Sequence, residues 1–220
     1  MPGISSNVTE KVAKLEMLVE KLKEVESKNK ARDTLLGYAK YQMEGYLSPP
    51  HIRLLAHKLE DVERGKIKRL AIFMPPRHGK SILSSEFFPA WYLGRNPKKF
   101  IICSTYGQEL ADDFGRKVRN QLQDPRYQEL FPDVGLATDS SSMRRFNTSQ
   151  GGVYYAVGAG SAITGRGAHL LLIDDPIKGR EDADSEAMRS NLLDWYRSTA
   201  YTRLMPGGSV VLIQTRWHED

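Results

Sequence analysis

A chain of 220 residues with 40% hydrophobic and 27% charged positions can bury one sizeable core, which excludes compositional disorder. A formal net charge of +5 and an isoelectric point near 9.2 favour an acidic partner, nucleic acid ahead of a membrane surface. The single cysteine, Cys103, lies in an apolar run and excludes an internal disulfide. No apolar run of about eighteen residues and no signal-peptide pattern occurs, which predicts a soluble, intracellular protein.

Over residues 8–30, Val12, Leu15, Leu18, Val19, Leu22 and Val25 alternate with Lys and Glu at a helical period. This predicts an amphipathic helix that packs on the core or on a partner, with packing inside the chain favoured. A short aromatic connector separates Tyr38 from Pro50, and 50–64 reads as a second helix closed by Gly65.

The stretch Arg69 to Ile82, RLAIFMPPRHGKSI, organises the rest. Leu70, Ala71, Ile72 and Phe73 read as a buried strand, Pro75 and Pro76 break it, and Gly79-Lys80-Ser81 opens a helix. Strand, tight loop and helix form the context of a phosphate-binding loop, in which the amides of about 78–82 face one concavity at a helix N-terminus. The cradle comprises Pro76, Arg77, His78, Gly79, Lys80, Ser81 and Ile82. Lys80 would meet the β- and γ-phosphates of ATP, and the Ser81 hydroxyl would ligate Mg²⁺. Met74 stands where the motif expects its first glycine. The segment ahead of the first strand often covers the adenine in P-loop motors, so Tyr46 and His51 are adenine-contact candidates.

Downstream, 81–93 is predicted helical with a kink or stop near Pro89, 100–104 a second strand and 108–123 a third helix. Arg116, Lys117 and Arg119 on that helix either follow a phosphate backbone or form a solvated face. Residues 132–152 read as loop and hairpin, and 153–157 as a strand. Leu170 to Asp175, LLLIDD, is a central parallel strand that delivers two acids to its C-terminal edge, a Walker B pattern. Asp174 would hold the Mg²⁺ shell, and Asp175 would orient or deprotonate the attacking water. Arg166, in the glycine-flanked GSAITGRG at 160–167, lies at the opposite end of that strand. About 3.3 Å per residue over 167–174 carries it more than 20 Å away, so it could reach a neighbour's site. A helix is expected around 187–198 and a strand over 209–214, whose end places Gln214 and Thr215 to sense a γ-phosphate.

Four motifs, PPRHGKS at 75–81, GRGAHLLLIDDPIK at 165–178, DWYRSTAYTRL at 194–204 and QTRWHED at 214–220, together resemble the large terminase subunit of tailed bacteriophages, in its N-terminal packaging ATPase. The resemblance spans about 46–220 and implies a RecA-like (ASCE) P-loop α/β fold with a mostly parallel sheet. It divides the chain into a helical segment at 1–45 and an ATPase domain at 46–220, with the family's nuclease domain absent. It implies ATP and Mg²⁺ as cofactors, with catalytic roles for Lys80, Asp175, Arg166 and Arg77, the last as an electrostatic group on the γ-phosphate. The implied partners are double-stranded DNA, a homo-oligomeric ring, the small terminase subunit and the portal protein, with no membrane. The implied location is host cytoplasm and transiently the procapsid portal vertex. Two other classes stand beside this reading: a helicase-like, nucleic-acid-stimulated P-loop ATPase, and a nucleotide-binding module with negligible turnover in isolation.

Overall fold

Leu170, Leu171, Leu172 and Ile173 are all buried, yet alternate residues enter different cores, because successive side chains of a strand point to opposite faces. The computed structural model describes residues 3–139, 142–163 and 165–217, with side chains from residue 8 onward. It places this segment, β5 (Ala168–Asp174), near the middle of a six-stranded sheet. The other strands are β1 (Arg69–Phe73), β2 (Phe100–Thr105), β3 (Arg145–Asn147), β4 (Val153–Gly158) and β6 (Leu204–Gln214). Their spatial order is β1-β6-β5-β2-β4-β3, and every pairing is parallel except β3 with β4. Helix-bearing crossovers between parallel strands cover both faces, as an all-buried strand such as β5 requires.

The larger core lies under α2 (Leu35–Gln42), α3 (Pro50–Glu63), α4 (Phe88–Arg95), α5 (Gln108–Gln123) and α6 (Pro125–Leu130). The opposite face is covered by α8 (Glu186–Trp195), which follows the short α7 (Arg180–Asp184), and by the turns after it, through Trp195 and Ala200. Helix α3 ends where the sequence predicts: Arg64 caps it and Gly65, at φ +74°, turns the chain. Glu60 is buried but satisfied, accepting from the Leu35 amide at 2.9 Å.

Two expectations change. The predicted kink at Pro89 is a wide, π-type helical segment over Ile82–Phe87, in which the Phe88 amide bonds Leu83 O, five residues back. The ordinary helix resumes at Phe88 as α4, with Pro89 in its first turn, where a missing N–H is tolerated. The N-terminal helix α1 runs further than predicted, Gly3–Asp33, and from Val8 onward it packs only at its C-terminal end. Ala31 is fully buried and the Arg32 guanidinium donates to Leu130 O at 2.8 Å, whereas every large apolar residue from Val8 to Val25 is exposed. Among the described residues, no helix is long and apolar enough to cross a membrane.

Trp91 joins α1 to the body: it is fully buried and its indole N–H donates to Arg32 O at 3.0 Å. Trp91→Ala should lower the unfolding free energy by about 3–5 kcal/mol, read as a shifted denaturation midpoint.

Candidate nucleotide site

Strand register decides what can meet at the C-terminal edge of the sheet. Phe73, the last residue of β1, lies beside Gln214 of β6, and Ile213 lies beside Asp174 of β5. The loop after β1 and the acids at the end of β5 are therefore separated by one strand, roughly 10 Å from β1 to β5. The loop at 74–81 crosses that gap. Arg77 and Gly79 both take left-handed conformations, at φ +61° and +80°, and turn the chain into the helix. At residue 79 only glycine serves, since a Cβ would also come within 3.2 Å of Ile52 Cδ1 on α3. The His78 ring stiffens the turn by donating from Nδ1 to Pro76 O at 2.8 Å. The first amides of a helix have no intrahelical partner, so those after Gly79 are open to an anion.

Lys80 is buried, and its Nζ lies 2.8 Å from Asp175 Oδ2. Asp175 is itself a left-handed residue, at φ +42°, a strain that pinned neighbours must sustain. Its amide donates to Ile213 O, its carbonyl accepts from the Tyr106 amide, and its Oδ1 accepts from the Thr215 amide at 2.6 Å. The predicted phosphate cation and the predicted water-orienting acid are thus brought together, each holding the other, with Thr215 tied to the same carboxylate. Gln214 and Thr215 are both buried at this edge.

Asp174 is 1% exposed. Its Oδ2 accepts from Ser85 Oγ at 2.5 Å with the Ser81 hydroxyl near the carboxylate, while Oδ1 is buried with no partner in the protein. Burial dominates and pushes the carboxyl up to about 6; the Ser85 bond opposes this and the Asp175 charge adds to it. A buried carboxylate oxygen without a donor, next to a hydroxyl, fits a hard cation that completes its shell with ligand oxygens. No cluster of three or more His, Cys, Asp or Glu that could hold a metal alone occurs among the described residues. The residues therefore suit Mg²⁺ carried with a phosphate ligand.

Ser85, which bonds Asp174, is the member of the candidate site that the sequence reading missed. Its spacing of four from Ser81 was the available clue, because i and i+4 share a helix face. Of the adenine candidates, Tyr46 packs edge-on against Phe87 with ring centroids 5.6 Å apart, and its hydroxyl is buried without a partner. His51 is exposed and stands 5.9 Å from the His78 ring, beside the loop. Pro76 and Arg77 are exposed on the loop, and Ile82 is exposed at the start of the helical segment that follows it. Arg166 is not brought to this site: its guanidinium stacks 4.1 Å from the centroid of the Tyr155 ring on β4. The basic residues of α5 sit largely in local pairs, Arg116 with Asp113 and Lys117 with Glu86, each at 2.6 Å, which favours the solvated-face reading. The end of the QTRWHED motif, residues 218–220, and Thr164 of the glycine-flanked loop lie outside the described residues.

Comparison with known proteins gives the family and the fold. A family model described as terminase large subunit, T4likevirus-type, N-terminal, matches residues 71–220, more than half of the chain. The chain belongs to that family. The large terminase of bacteriophage HK97 is similar in fold, with 14% identity, a TM-score of 0.51, and coverage of 78% of this chain. The chain spans about a third of that protein's length, 34%. A mutant of the Thermus phage P74-26 large terminase ATPase domain is 16% identical over 80% of this chain and 72% of its own, with a TM-score of 0.48. No curated protein matches the sequence. The fold is the RecA-like α/β architecture of terminase ATPase domains.

The raised pKa of Asp174 carries a sign. The folded state binds this proton more tightly than the unfolded chain, whose value is near 3.8, so the group's cost is absent below about pH 4 and complete above about pH 6. Asp174→Asn should therefore stabilise the empty protein at about pH 8 by on the order of 2–3 kcal/mol, a gain that shrinks towards pH 4. Denaturation at the two pH values measures it, and a variant no more stable at the higher pH would contradict the buried, ionised carboxylate.

Proposed function

We propose that residues 46–220 form the ATP-hydrolysing motor of a DNA-packaging terminase, driving double-stranded DNA into a procapsid. One observation carries the reading: in a chain of the terminase large subunit family, a P-loop lysine and two acids from a central strand converge at one sheet edge, with Lys80 Nζ 2.8 Å from Asp175. Lys80, released from Asp175, supplies a compact cation to the β- and γ-phosphates. Pro76, His78, Gly79 and Ile82 shape the loop around the phosphates, Arg77 faces the γ-phosphate from the loop's exposed side, and Tyr46 and His51 border the adenine. Ser81 and Asp174 would hold Mg²⁺, which when bound neutralises phosphate charge. Asp175, once free of Lys80, orients or deprotonates the attacking water.

That release also couples chemistry to motion. The carboxylate that must turn to the water is the one that holds the Thr215 amide, so Gln214 and Thr215 are positioned to report the γ-phosphate to β6. Arg166 serves the adjacent subunit of a homo-oligomeric ring. DNA is gripped through its phosphates, with steep salt dependence, and the small terminase subunit and portal protein complete the assembly in host cytoplasm and at the portal vertex.

The mutual hold of Lys80 and Asp175 favours a second reading, a domain that binds nucleotide but turns over negligibly when alone. Phosphate release with and without double-stranded DNA separates the two: the motor reading expects measurable, DNA-stimulated release. Lys80→Ala should abolish hydrolysis, and wild-type turnover would remove the P-loop assignment. Asp175→Asn should leave ATP affinity equal or higher, since Lys80 loses its competitor, while slowing single-turnover hydrolysis by about 10²-fold or more.

The Arg166 role predicts complementation. Arg166→Ala alone should bind ATP yet lose roughly 10³–10⁵ in rate. Mixed with Lys80→Ala, which still presents Arg166, it should recover partial activity. A mixture as inactive as its components, under conditions where rings form, would assign Arg166 to its own subunit.

A further inference from the structure

Helix α1 leaves the body as an arm. Beyond the anchored turn at Lys28 to Arg32, residues 3–27 extend for about 37 Å at 1.5 Å per residue. Every large apolar side chain from Val8 to Val25 is between 43% and 62% exposed, on a helix that water alone would not favour with such a face. The spacing is that of a coiled-coil seam: Val8, Leu15 and Leu22 occupy one position of a heptad, and Leu18 and Val25 the other. Lys11 is the polar member, which lowers stability while restricting register.

Charge selects the occupant. The helix carries seven basic and six acidic residues, so it is nearly self-neutral and does not call for a strongly charged partner. The two flanks of the seam differ. Lys14 and Lys21 stand on one side, and Val12, Val19 and Glu26 on the other. A parallel, in-register pair of identical helices sets each lysine flank against the other helix five residues on, which places Lys21 opposite Glu26 of the second copy. An antiparallel pair sets lysine flank against lysine flank. We propose that α1 is a self-association element, pairing in parallel and in register with α1 of a second copy of this chain. The pairing is independent of the nucleotide site, so its failure leaves the motor reading untouched.

The test uses the full chain. Cys103 is fully buried, so a Leu22→Cys variant carries one accessible thiol. Under mild oxidation with oxidised glutathione it should cross-link to itself, whereas Glu20→Cys, on the far face of the helix, should not. In sedimentation equilibrium the wild type should dimerise and Leu15→Glu/Leu22→Glu should be monomeric, with the body's thermal transition unchanged. Lys21→Glu should weaken the dimer about five-fold and Lys21→Glu/Glu26→Lys should restore it. The proposal is overturned if Leu22→Cys cross-links no better than Glu20→Cys, or if the charge swap restores nothing. A helix that is monomeric alone and covered only by a different protein overturns it equally.

Discussion

The site depends on a contact made across a strand. Lys80 comes from the loop after β1 and Asp175 from the end of β5, and β6 lies between them, yet Nζ and Oδ2 meet at 2.8 Å. The pair is half-buried, with side-chain exposures of 7% and 26%, so each charge has lost much of its water and is held mainly by the other. Two left-handed residues, Arg77 and Asp175, lie at the two ends of this contact. Strained backbone on both sides of one ion pair marks a place where geometry is fixed by the surrounding structure and not by local preference.

Beside that pair, Asp174 is a carboxylate buried without full compensation. Ser85 and Ser81 reach it from the helix behind the loop, and one oxygen is left bare. The empty domain therefore carries a free-energy cost at neutral pH, and a cation at that oxygen would offset it.

Much of this was legible in the sequence, and the reasons are local. The apolar run of β5 ending in two acids can only be a buried strand, because all four apolar residues have a core to enter. Helix α3 ends where Gly65 supplies a left-handed residue. The Gly79-Lys80-Ser81 turn follows from backbone sterics. What escaped was tertiary. The wide helical segment at 82–87 lies in the turn before Pro89, where nothing in the residue types marks it, so the proline placed the kink one turn too late. Ser85 matters only because that segment sits under β5. The apolar stripe of α1 correctly predicted an amphipathic helix, but a stripe says nothing of which surface covers it.

The P-loop strand lies at the edge of the described sheet, and this has a mechanical meaning. Strand β1 is hydrogen-bonded to β6 alone, with Arg69 to Phe73 aligned on Val210 to Gln214, and Arg216 places its guanidinium over the Phe73 ring. Loop and acids are thus linked twice, directly through the Lys80–Asp175 and Ser85–Asp174 contacts and through the backbone of β6. A displacement of the loop against β5 has to shear β6 lengthwise, and a sheet ladder resists shear along its whole length at once. A displacement of the loop therefore loads Gln214, at the end of β6, through the whole ladder at once.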